Sequence, residues 1–130
     1  MQYFLGVDGG GTKAAYALVS CSGEVINVYV STGFARTLDS TDITVGQIVE
    51  GVETCLAVTS VDPSHVKGIC FGLPCFGELA KKDEEIVAAL RSKFSGTDCY
   101  ITNDCEVGWA GSLACKPGVN IVAGTGSIAY

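Results

Sequence analysis

At 130 residues and 13.4 kDa the chain is long enough for one domain with a real core and too short for two complete ones, and 48% apolar residues would fill that core. Eight basic against 14 acidic residues give a formal charge of −6, with no run of Lys or Arg to track a phosphate backbone, which argues against nucleic acid as a partner. Met1 leads into QYFLGVDGG, without a basic leader or a small-residue cleavage site, and no apolar run approaches the roughly 20 residues of a membrane span, so the expectation is a soluble, cytoplasmic protein with no membrane partner.

Residues 2–8 (QYFLGVD), 13–20 (KAAYALVS) and 24–32 (EVINVYVST) are rich in β-formers. A Gly turn joins the first two and Cys21-Ser22-Gly23 the last two, which predicts an antiparallel meander. From Thr41 the period changes. Val45, Ile48, Val49, Val52, Cys55 and Leu56 recur at three and four, the stripe of an amphipathic helix ending near Thr59, before a turn at Asp62-Pro63.

VKGICFGL (66–73) carries no polar face and reads as a buried strand. A second helix is expected over about 80–94, with Asp83, Glu84 and Glu85 early, Arg91 and Lys93 late, and Gly96 to stop it. CYIT (99–102) is a short strand. Asn103 then stands where an N-cap belongs, with Glu106 three residues on as in a capping box, and this third helix runs to about Cys115. Lys116-Pro117-Gly118 ends it as the linker candidate, and VNIVAGTGSIAY (119–130) opens another hairpin with Gly124-Thr125-Gly126 as its turn. The order β-β-β-α-β-α-β-α implies an α/β sheet covered by helices on both faces.

The seven cysteines form no CxxC pair, are odd in number and fall mostly in apolar segments, so reduced, buried thiols acting as small hydrophobes are expected. His65 follows Pro63-Ser64 in a loop without a second ligand at metal spacing, and reads as solvated surface. No GxSxG is present for a Ser–His–Asp hydrolase.

The chemistry concentrates in three stretches. DGGGTK (8–13) lacks the spacer of a GxxxxGK[ST] loop, fails GxGxxG because Ala14 follows, and runs into a strand where both of those motifs run into a helix. It is either an ordinary tight hairpin or a turn whose glycine N–H groups approach a polyanion, with Thr12 as an extra donor and Asp8 positioned to hold a metal ion. ITNDCEVGWAG (101–111) sets Asp104 at the carboxyl end of a predicted central strand and in the first turn of a helix, where the dipole favours its ionised form. AGTGS (123–127) is a second Gly-Thr-Gly turn without a following helix. Two such turns around a strand-end Asp form a stronger signal than either alone.

DGGGTK, TNDCEVGWAG (102–111) and AGTGS together resemble the actin, hexokinase and heat-shock-chaperone ATPase superfamily. Within it they are most similar to the N-acetylglucosamine kinase family, grouped with the BadF/BadG/BcrA/BcrD-type ATPases. The resemblance implies a ribonuclease-H-like lobe with a mixed five-stranded sheet. Residues 1–117 would form an N-terminal ATPase lobe and 118–130 the first hairpin of a second, with this chain alone inactive. It further implies ATP and Mg²⁺ as cofactors, a small-molecule sugar as substrate, and room for a homodimer. Asp104 would be the catalytic base and would touch substrate with Asn103, Gly33 and Thr125. Gly9, Gly10, Gly11, Thr12 and Lys13, with Gly124, Thr125, Gly126 and Ser127, would hold the ATP phosphates, and Asp8 would orient Mg²⁺ through water.

Within that resemblance STGFAR (31–36) has Gly33 where sugar-binding members tend to carry Asn, and LPCFGE (73–78) offers Glu78 either to a substrate or to the start of a helix. Trp109 is expected in the core or at a lobe interface, and Glu106 as a cap. Three other readings share the turns: a repressor-kinase-type sugar kinase, an ATPase activator of a CoA-ester reductase or dehydratase, and an actin- or chaperone-like switch without a small substrate.

Overall fold

Apolar alternation organises the first three strands of the computed structural model, which describes residues 1–123 and 127–130. Strand β1 (Tyr3–Gly9) buries Leu5 and Val7 on one face, and β2 (Lys13–Ser20) buries Ala14, Tyr16 and Leu18. With β3 (Val25–Thr32) they form the expected antiparallel meander, in which Val7 pairs with Tyr16 and Tyr16 with Tyr29. The chain then returns through α1 (Thr41–Ala57) to β4 (Val66–Leu73), which lies parallel to β1, and through α2 (Ala80–Lys93) to β5 (Asp98–Asn103), parallel to β4. The strand order is β3-β2-β1-β4-β5.

That order corrects one expectation. The strand before Asp104 is an edge strand and not a central one, because each helical crossover adds its strand outside the last and leaves β1 in the middle.

Helix α1 starts at Ser40, whose hydroxyl accepts the Ile43 N–H at 3.4 Å, and buries Val45, Ile48, Val52 and Cys55. Ile86 and Leu90 of α2 join them against Leu5, Val7, Phe71 and Leu73, so both helices cover one face of the sheet. Helix α3 (Asp104–Leu113) covers the other. It sits close because Gly72 of β4 has no side chain: a Cβ there would lie 2.6 Å from Val107 Cγ2. The α/β architecture with helices on both faces is as expected.

Asn103 caps α3 as its position implied, accepting the Cys105 N–H at 2.8 Å. The capping box does not close. Glu106 turns back to β5, where its carboxylate accepts the Tyr100 hydroxyl at 2.9 Å and the Thr102 hydroxyl, two stronger donors on the strand face beneath α3. His65 lies exposed in a short 3₁₀ turn, Pro63–His65.

All seven cysteines are free, but only Cys55 is buried; Cys21 and Cys115 are exposed and the other four half-buried, so most do not serve as core residues. A second sheet pairs β6 (Ile121–Ala123) with β7 (Ser127–Ala129), and its Tyr130 meets Trp109 of α3 edge-on at 6.4 Å. Trp109 is thus half-buried at the junction of α3 with the hairpin. No helix among the described residues is long and apolar enough to cross a membrane.

Candidate functional site

The carboxyl ends of β1, β4 and β5 lie side by side, with Asp8 paired to Gly72 and Gly72 to Thr102. Asp8 therefore stands two strands from the end of β5, about 10 Å at ordinary strand spacing. Asp104 opens α3 just past that end, on the same face of the sheet as the Asp8 side chain, and the bare Gly72 between the two strand ends lets Val107 of α3 settle close to the sheet there. Asp8, Asp104, Cys105, Gly108, Val122, Ser127 and Ile128 line one cavity of about 440 Å³.

The electrostatics reflect that meeting. The packed surroundings of the cleft, and next the facing charge of Asp104, push the Asp8 carboxyl above its ordinary range, while Lys13 pulls it down. Burial also raises Asp104, opposed by hydrogen bonds from the Cys105 N–H, the Cys105 thiol and its own amide, and reinforced by Glu78. The helix N-terminus does not win there: desolvation outweighs the donors that favour the charge, so the direction is opposite to that expected from the dipole.

Beside Asp8 the glycine turn is tight. The Gly10 N–H donates to Lys13 O at 2.9 Å, which leaves Gly11 and Thr12 exposed at the tip. Gly33 supports the turn from behind, its N–H on Thr12 O at 3.0 Å, and a Cβ at residue 33 would collide with the backbone of Gly10 and Gly11. That contact accounts for a glycine at position 33: the residue buttresses the turn and brings no side chain to a ligand. The Asn103 side chain is occupied at both ends, its amide nitrogen on Phe76 O at 2.9 Å and its oxygen on the α3 cap. Ser127 joins Asp8 and Asp104 in the cavity, whereas Gly124, Thr125 and Gly126 lie outside the described residues.

Among the described residues no group of three or more His, Cys, Asp or Glu side chains converges as a metal cluster. The donor set still fits Mg²⁺, which keeps most of its waters and takes one or two carboxylates together with phosphate oxygens. Two hard carboxylates, both with raised proton affinity and beside exposed amides, are such a set. A separate cavity of about 420 Å³ lies at the opposite end of the strands, lined mainly by apolar residues such as Val52, Leu56, Val66 and Phe94, and brings no carboxylate pair together.

Two features escaped the sequence reading. Phe34 is buried over Gly9 with its N–H on Gly10 O, and Arg36 and Asp83 form a buried ion pair at 2.5 Å. Neither Phe34 nor Arg36 sits in a periodic segment, so no pattern marked them; Asp83 read only as an early helix acid.

The BadF/BadG/BcrA/BcrD ATPase family matches residues 5–130. The N-acetylmuramic acid/N-acetylglucosamine kinase of Clostridium acetobutylicum is 27% identical over 132 residues, covering 100% of this chain and 42% of that protein. Among solved structures, a provisionally named N-acetylglucosamine kinase from Chromobacterium violaceum superposes with a TM-score of 0.67 at 20% identity, over 99% of this chain and 44% of its own. A provisionally named sugar kinase from Cytophaga hutchinsonii gives 0.55 at 21%, over 98% and 46%. These structural likenesses carry the ribonuclease-H-like fold; the chain spans less than half the length of each of these relatives.

Proposed function

This chain belongs to the BadF/BadG/BcrA/BcrD ATPase family, and on that premise we propose that it forms the N-terminal lobe of an ATP-dependent kinase that phosphorylates a hydroxyl of an amino sugar such as N-acetylglucosamine or glucosamine. The observation that carries the reading is the meeting of Asp8 and Asp104 in one cavity beside the glycine turn. The curated relative's name, with its two N-acetylated sugars, supports the substrate class.

Phosphoryl transfer leaves little covalent chemistry to the protein; positioning and charge neutralisation do most of it. Asp104 accepts the proton of the attacking sugar hydroxyl, and a carboxylate with raised proton affinity suits that work. The turn 9–13 offers the amides of Gly11 and Thr12, the Thr12 hydroxyl and the Lys13 charge to phosphate oxygens, held in shape by Gly9 and Gly10. Ser127, with Gly124, Thr125 and Gly126, would do the same from the second hairpin. Asp8 would hold Mg²⁺ through water, and the ion when bound would neutralise phosphate charge. Residues 1–117 make up this lobe and 118–130 open the next.

The test is ADP release by the full-length protein with Mg-ATP across N-acetylglucosamine, N-acetylmuramic acid, glucosamine, glucose and no sugar. A rate that requires one amino sugar is expected. A rate indifferent to sugar would overturn the kinase reading and leave an ATPase switch or activator.

A further inference from the structure

Arg36 is only 3% exposed. Its Nη1 donates to Pro74 O at 2.8 Å and its Nη2 to Asp83 Oδ1 at 2.5 Å, while the guanidinium lies 5.8 Å from the Phe76 ring centre. The other Asp83 oxygen accepts the N–H groups of Gly77 and Leu79 at 2.9 and 3.2 Å, which makes up for the missing side-chain cap at the start of α2. Lys82 closes the arrangement from outside, donating to the carbonyls of Arg36 and Asp39, both at 2.8 Å.

A buried ion pair is weak evidence for stability, since desolvation offsets most of its attraction, and an apolar pair of similar volume often does as well. What sets this pair apart is where its two ends lead. Two residues before Arg36, the Phe34 N–H holds Gly10 O at 2.9 Å and Gly33 holds Thr12 O, so one end is tied to the glycine turn. On the other side, Phe76 O receives the Asn103 amide, and the opposite end of that side chain caps α3 at Cys105, next to Asp104. Hydrogen bonds, joined by the short backbone stretches 34–36 and 74–76, thus run from the turn to the start of α3 through Arg36.

We infer that Arg36 is a positioning residue, one that with Asp83 fixes the separation between the phosphate turn and Asp104. The inference rests on the kinase reading for its consequence in catalysis, though not for its geometry. Because misplacement of reacting groups by about 1 Å can cost on the order of 10²-fold in rate, loosening this link lowers kcat while leaving each half able to bind its own ligand.

The experiment compares Arg36→Lys and the double variant Arg36→Met/Asp83→Leu with the parent, all as full-length protein. Hydrogen exchange is read by peptide over 9–13, 74–79 and 103–107, alongside kcat and KM per folded molecule. Lys cannot reach Pro74 O and Asp83 together, so exchange is expected to quicken about tenfold at both 9–13 and 103–107. The value of kcat is expected to fall about 10–100-fold with each KM within about twofold. The double variant, apolar and well packed, is expected to recover thermal stability and not kcat.

Faster exchange confined to 74–79, or recovery of kcat with stability in the double variant, would reduce Arg36 to a packing residue and overturn the inference. The exchange result stands whether or not the protein phosphorylates a sugar, so loss of the kinase reading would show as absent sugar dependence in the parent with the exchange pattern intact.

Discussion

Asp8 and Asp104 stand on one face of the sheet on either side of β4, where Gly72 separates Asp8 from Thr102 in the strand register. The first carboxylate ends a strand near the start of the chain and the second opens a helix after the last strand of the main sheet, yet both line the same cavity.

Replacing Asp104 by Asn should preserve the fold, because Asn103 rather than Asp104 caps α3. In the full-length protein kcat should fall by about 10²–10⁴, the range for a positioned general base. Steady-state kinetics beside circular dichroism checks this, and unchanged turnover would remove Asp104 from that role.

The pH profile follows from the direction of the Asp104 shift. Burial raises its proton affinity, so the acid limb of kcat/KM should lie above the usual carboxylate range, and Glu78→Gln should move the limb to lower pH by removing a like charge. For stability the sign is reversed from that of a salt-bridged carboxylate. The folded state holds these protons more tightly than the unfolded chain, so stability should fall as pH rises from the ordinary carboxylate pKa through the raised values of Asp8 and Asp104. Melting temperatures of the parent and of Asp8→Asn across pH 3 to 8 test it; the variant should lose less on the way up.

At position 33 an Ala would drive its Cβ into the backbone of Gly10 and Gly11. The turn should shift, and KM for ATP should rise about tenfold or more, the order expected when a backbone-lined phosphate site loses one or two hydrogen bonds. The KM for sugar should change less. An equal rise in both would assign Gly33 to the sugar.

Gly72→Ala should push α3 off the sheet. A Cβ at 2.6 Å from Val107 cannot be accommodated without movement, and the cost should be about 1–3 kcal/mol, as for other overpacked cores. Urea unfolding measures it, and Val107→Ala in the same chain should restore part of the loss.

Much of this was legible in the residues themselves. The stripe from Val45 to Cys55 and the mostly apolar run of VKGICFGL mark α1 and β4 because burial of one face, or of both, leaves a pattern in the chain. The lateral position of β5 leaves none, since a strand's neighbours are set by packing between distant segments. Glu106 obeyed the spacing of a capping box and then bound Tyr100 and Thr102, donors three-dimensionally near but invisible to a local rule. Of the site, Asp8, the glycine turn and Asp104 announced themselves by residue type. Phe34, Arg36 and Asp83 did not, because their significance lies in bonds between loops whose approach no spacing records.

The central place of β1 also dictates when the site comes into being. Local hairpins can pair β1 with β2 and β2 with β3 as soon as those residues meet, but the other edge of β1 must wait for β4, which follows α1 in the chain, and Asp104 follows β5. Pairings between sequence-distant parallel strands close late because loop entropy opposes them. Asp8 is thus expected in place early and Asp104 last, so the two carboxylates are expected to meet only once β5 has joined the sheet.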